Sequence, residues 1–168
     1  MKTFYLILIA VVAFVVFVPP SASGDTWKEP INDFTRFIVL ASYNGQAVLD
    51  QETGLVWEQF PDSRSRRSWI GAQIFCTQKT VGNRKGWRLP TIQELASLVD
   101  PTRVAPALPA GHPFSNVLSS FYWSATTDAG NTDVAWDVIF TNGVVFHNAK
   151  FEPFFVWCVR GGQGVDPQ

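Results

Sequence analysis

Three arginines fall within four positions in the run Ser63-Arg64-Ser65-Arg66-Arg67-Ser68. Guanidinium groups fork onto the oxygens of sulfate and phosphate, so Arg64, Arg66 and Arg67 form a candidate anion-binding patch. The run directly precedes a stretch of helical character. Cations at a helix N-terminus are mildly unfavourable, so they need another reason to be there. Lys79, Arg84, Lys85 and Arg88 follow and could extend the patch. The competing reading is a solvated loop whose charges pair with Asp50, Glu52, Glu58 or Asp62.

Asp128, Asn131, Asp133 and Asp137 gather oxygen ligands around one turn. Calcium requires six to eight oxygens, and this spacing matches no calcium loop. Side chains bonding their own backbone explain such a turn equally well. Calcium is therefore a weak candidate, and no cofactor is expected. His112 and His147 lie far apart without a zinc motif. No Gly-x-Ser-x-Gly elbow and no phosphate-binding Gly-Lys-Ser/Thr loop occurs. Glu58, Glu94 and Glu152 could in principle make a carboxylate pair for glycoside hydrolysis, but capping explains Glu94 and nothing in the sequence pairs the others. The expectation is a non-enzymatic protein.

Two cysteines, Cys76 and Cys158, make an even count. In an exported chain that favours one disulfide over two buried thiols. Chain-entropy arithmetic for so long a loop gives about 4–5 kcal/mol of stabilisation. Trp123, Trp136 and Trp157 could stack on sugar rings, but on alternating strands they read as core. Phe151, Phe154 and Phe155 around Pro153 read as a packing corner.

These residues need a scaffold, and the sequence outlines one. Arg36–Ser42 is a strand candidate that meets Ala47-Val48-Leu49 across Asn44-Gly45, and Leu55–Glu58 follows a second turn. Trp69, Ala72 and Cys76 recur at helical spacing over 68–78. Thr91-Ile92-Gln93-Glu94 is a capping box opening a second helix with Leu95, Leu98 and Val99 on its apolar face. Four prolines between 101 and 113 mark a long loop. The last third is β: 121–126, an alternating stretch over 134–141, a two-residue turn at Asn142-Gly143, 144–148, and a closing strand over 154–160 that carries Cys158. The architecture expected is α+β, two helices with antiparallel strands, the first and last strands bringing the termini together.

The chain has 168 residues, of which 46% are hydrophobic and 16% charged, with a net charge of −1. That composition supports one packed domain and excludes wholesale disorder. Near-neutrality excludes nucleic acid as the main partner. Met1-Lys2, the apolar run Phe4–Val18, Pro19-Pro20 and Ser21-Ala22-Ser23 form a signal-peptide pattern cut after Ser23. The apolar run is shorter than the ~20 residues that span a bilayer. An uncleaved anchor is the alternative. No membrane span is expected after cleavage, and the location expected is periplasmic or extracellular.

A set of residues in order resembles a known family. Its parts are Asp50-x-x-Thr53-Gly54-Leu55-Val56-Trp57, Trp69-x-x-Ala72-x-x-x-Cys76, Gly86-Trp87-Arg88-Leu89-Pro90-Thr91-x-x-Glu94-Leu95, Tyr122-Trp123-Ser124-Ala125-Thr126, Ala135-Trp136-x-Val138-x-Phe140-x-x-Gly143 and Cys158-Val159-Arg160-Gly161. Together they look like the Lcl C-terminal domain family, named for a collagen-like bacterial adhesin. The resemblance divides the chain into a signal peptide (1–23), an N-terminal segment (24–46), the domain (47–162) and a tail (163–168). It implies a C-type-lectin-like fold with a bridge from the first helix to the last strand, where Cys76 and Cys158 stand. It also implies an adhesin-like module that binds sulfated glycosaminoglycans or other anionic polysaccharides, or a surface protein. A structural component of the envelope and a hydrolase of unrecognised type are the alternatives. The sequence departs from calcium-dependent lectins of that fold: it lacks Glu-Pro-Asn or Gln-Pro-Asp in the long loop, the later Trp-Asn-Asp, and a second inner disulfide. No collagen-like repeat precedes the domain, so a stalk-driven trimer is not implied.

Overall fold

A computed structural model describes residues 36–161, so the signal-peptide reading and the tail lie outside the described residues. The elements are β1 (Phe37–Val39), β2 (Ala47–Asp50), β3 (Leu55–Glu58), β4 (Asp62–Arg67), α1 (Trp69–Gln78), α2 (Ile92–Ala96), β5 (Phe121–Thr127), β6 (Val134–Ile139), β7 (Val144–Ala149), β8 (Phe154–Val156) and β9 (Val159–Arg160). They build two sheets, β1-β2-β3-β9 and β4-β8-β5-β6-β7. All pairings are antiparallel except β5 with β8. Among the described residues no helix is long and apolar enough to cross a membrane.

Four departures from the sequence reading have physical causes. The first strand stops at Val39 because Ala41–Tyr43 wind into a 3₁₀ turn that buries Tyr43, with Asn44 and Gly45 both at positive φ. The β6–β7 connection is four residues long rather than two. Phe140 turns inward to full burial, and its amide donates to the Ser120 carbonyl at 2.9 Å. The closing strand divides in two. Between β8 and β9 the chain leaves one sheet for the other, and the Trp157 indole N–H donates to the Glu58 carbonyl at 2.9 Å. Finally, β9 pairs with β3, so the first and last strands stand at opposite ends of their sheet instead of side by side.

The core has two lobes. One packs Leu95 and Leu98 against Trp57, Tyr122, Phe140 and Trp157. The other packs Ala72 and Cys76 of α1 against Trp87, Trp123, Val156 and Cys158. Trp123 and Trp157 are fully buried, so neither offers a sugar-stacking face. Burying such rings yields about 2–3 kcal/mol each. Cys76 and Cys158 are bonded, with Cα atoms 5.5 Å apart, and close an 82-residue separation. The bridge ties α1 to the crossing point between the sheets. The capping box of α2 is formed: the Thr91 hydroxyl accepts from the Glu94 amide, and Glu94 accepts from the Thr91 amide at 2.8 Å.

Candidate functional site

The basic run is a strand, not a loop. β4 is an outer strand of the five-stranded sheet, paired only with β8. Ser68 ends it and caps α1, accepting from the Gly71 amide. The register to β8 shifts between Asp62 and Arg67, so β4 bulges over its arginine-bearing middle. Bulges and charges are the usual defences of an open sheet edge against pairing with another chain.

The three arginines meet different fates. Arg67 Nη1 donates to Asp62 Oδ2 at 2.8 Å and to the Ser65 carbonyl at 3.1 Å, and its guanidinium lies 3.7 Å over the Phe75 ring. Its charge is compensated and its position fixed. Burial works to raise the Asp62 carboxyl, but the Arg64 amide and Arg67 outweigh it and hold it below the usual range. Arg66 is exposed and stacks 5.0 Å over Phe155, a contact that leaves its in-plane N–H groups open. Arg64 is exposed, and only its backbone amide is engaged, donating to Asp62 Oδ1 at 3.0 Å. Among the described residues no carboxylate pairs with Arg64 or Arg66. Two outward guanidiniums on a fixed strand can hold two anionic groups along a polymer.

Of the other basic residues, Lys79 shares the Phe75 ring with Arg67, its ammonium 4.5 Å from the centroid, while Arg84 and Arg88 are engaged elsewhere. Lys79 pairs with the buried Glu58, whose carboxyl burial pushes up against the pull of that ammonium. Arg84 stacks 5.1 Å over Tyr43. Arg88 makes a two-pronged bond to Glu94, 2.7 and 2.6 Å, and donates to the Gly161 carbonyl at 2.6 Å. Burial raises the Glu94 carboxyl, but the Arg88 and Thr91 bonds overcome this and leave it below the ordinary value. Arg88 also exchanges two backbone bonds with Val159 of β9. It is placed as a tie between α2 and β9. Asp50 and Glu52 pair with Arg36.

The oxygen-rich turn is dispersed. Asp128 binds the His147 ring at 2.5 Å and the Gly130 amide at 2.7 Å. Those bonds hold its carboxyl below the usual range. Asn131 accepts from the Asp133 amide at 3.0 Å. Asp137 is fully buried in β6, its Oδ2 accepting from Asn148 at 2.8 Å and its Oδ1 unpartnered among the described residues. Burial pushes its pKa up to about 6. Among the described residues no three His, Cys, Asp or Glu side chains are grouped to hold a metal. Glu58 and Glu94 are each spent on a separate ion pair.

Sequence reasoning missed that 62–67 is a strand, because Asp-Ser-Arg-Ser-Arg-Arg has neither apolar alternation nor β-branched residues. It also missed Arg67 stacking on Phe75. That contact joins the end of a strand to the middle of the following helix, and spacing alone does not announce it.

The family model for the Lcl C-terminal domain matches residues 46–160, and the chain belongs to that family. No curated protein matches the chain.

Proposed function

We propose that this chain is an exported, non-enzymatic binding module of adhesin-like type, on a C-type-lectin-like scaffold. It holds anionic glycans, sulfated chains foremost, along the β4 edge. The observation that carries this reading is the pair Arg64 and Arg66, exposed on a bulged outer strand with no carboxylate partner among the described residues. Arg67 positions the strand through Asp62 and Phe75 rather than meeting ligand itself. Arg88 leaves the set of ligand-binding residues and serves the scaffold. Family membership supports a binding module, and the disulfide supports an oxidising compartment such as the periplasm or cell exterior.

The test is a glycan array carrying sulfated and neutral polysaccharides, probed at two salt concentrations, with calcium and with chelator. The reading requires binding to sulfated chains that weakens with salt and survives chelation. Loss on chelation would point instead to the Asp128–Asp137 region. Absence of binding from folded, bridged protein would reject the reading.

One observation favours a second reading, an assembly component of the envelope. β7 is the other outer strand of the same sheet, in unbroken register with β6, and Val144, Val145 and Phe146 on it are exposed. A mass that rises with concentration would support it.

A further inference from the structure

Between α1 and α2 the surface opens into a cleft of about 680 Å³, a size typical of small-molecule sites. Gln73 and Thr77 of α1 line one wall, and Thr91 and Gln93 at the start of α2 line the other. Leu89 and Ala125 supply apolar lining, and the Arg88–Glu94 pair completes it. Because that pair is closed on itself, the cleft presents neither an uncompensated cation nor an uncompensated carboxylate.

Its free hydrogen-bonding capacity is neutral and of both kinds. The Gln73 and Gln93 amides have no partner among the described residues, so each offers donors and an acceptor. The Thr91 hydroxyl is spent within the capping box, accepting from the Glu94 amide at 3.2 Å and bonding the Glu94 carboxylate. The Thr77 hydroxyl donates to the Ile74 carbonyl at 2.9 Å and keeps lone pairs to accept. A separate feature agrees with this. α1 contains no charged residue, although Ile70 and Ile74 are 58% and 50% exposed. With Gln73 and Thr77 they fall at i, i+3, i+4 and i+7, one face of the helix. Solvent-facing helix surfaces ordinarily carry charge, and this one carries an amide, a hydroxyl and aliphatic groups.

We propose that the α1–α2 cleft is a binding site for an uncharged saccharide. The Gln73 and Gln93 amides take ring hydroxyls or acetamido groups, and Leu89 and Ala125 meet the C–H surface of the ring. An ionic ligand gains no counter-charge here, and a purely aliphatic one strands the amides. A peptide adding itself to a sheet needs an open strand edge, and the lining side chains come mainly from two helices and the segment leading into α2. This site is independent of the β4 edge, since it involves no ion pairing.

The experiment titrates the full chain with two probes, triacetylchitotriose and maltotriose, at low and high salt by calorimetry. At least one trisaccharide is expected to bind, with an affinity that salt does not change. Gln73→Ala and Gln93→Ala should each weaken it about tenfold, the worth of one hydrogen bond made on binding. Melting temperature should stay unchanged, because neither amide is used within the fold. An Arg64→Ala/Arg66→Ala variant should bind the trisaccharide as the parent does, which separates this site from the sulfated-glycan reading. Failure of both probes to bind folded protein at millimolar concentration would overturn the proposal. Equal binding by a Gln73→Ala/Gln93→Ala variant would overturn it as well.

Discussion

Arg88 and Arg66 carry the same guanidinium and serve opposite ends. Arg88 is locked between Glu94 and the Gly161 carbonyl, with its backbone bonded to Val159. Arg66 lies on an outer strand with an aromatic ring beneath it and, among the described residues, no carboxylate paired with it. The first spends its charge on holding α2 to β9 and Gly161. The second keeps its charge available. The difference teaches that an arginine reads as a binding group only when its counter-charge is missing from the fold.

The sharpest way to break this comparison is to dissolve the locked region. Cys76→Ser/Cys158→Ser removes the bridge from α1 to the crossing between the sheets and should cost about 2–5 kcal/mol in urea unfolding. Loss of stability under reducing agent would show the same effect. A bridgeless protein as stable as the parent would mean that this end of the molecule is not the fixed one.

A buried carboxylate supplies the next effect. The folded state raises Asp137 from 3.8 to about 6, so between those values the native protein binds more protons than the unfolded chain. Stability from this group is fully present below pH 4 and falls as pH rises toward 7, by about 2–3 kcal/mol. Asp137→Asn should flatten that part of the stability–pH curve, checked by thermal melts from pH 4 to 8. An unchanged curve would reject burial as the cause.

Arg88→Ala comes third. It leaves Glu94 part-buried without its partner and should cost about 2 kcal/mol. Its thermal unfolding can be compared directly with that of Arg64→Ala and Arg66→Ala, which should shift stability by less than about 0.5 kcal/mol each. Equal losses on the two sides would erase the distinction between tie and edge.

Much of the scaffold was legible in the residues themselves. The capping box at Thr91 and Glu94 formed as written, because its hydrogen bonds are local and need no distant partner. The cysteine pairing was legible because two cysteines admit only one intrachain bridge. The division of the closing strand was not legible. Seven residues of continuous strand character conceal that Trp157 and Cys158 turn inward onto Glu58, a residue nearly one hundred positions away. Of the candidate site, the arginine cluster was visible as composition, but its partition was not. Asp62 claims Arg67 through a bulged strand that a sequence without alternation does not disclose. Arg88 was grouped with the cluster by charge alone, and its bonds to Glu94 and Gly161 set it apart.

The most direct test measures binding of a sulfated polysaccharide to the parent and to Arg64→Ala/Arg66→Ala across a salt series, with melting temperatures taken on the same samples. The account predicts parent binding that weakens as salt rises, and a variant bound at least tenfold more weakly, with a shallower salt dependence and the parent's melting temperature. Equal affinity and equal salt dependence in the two proteins would contradict it.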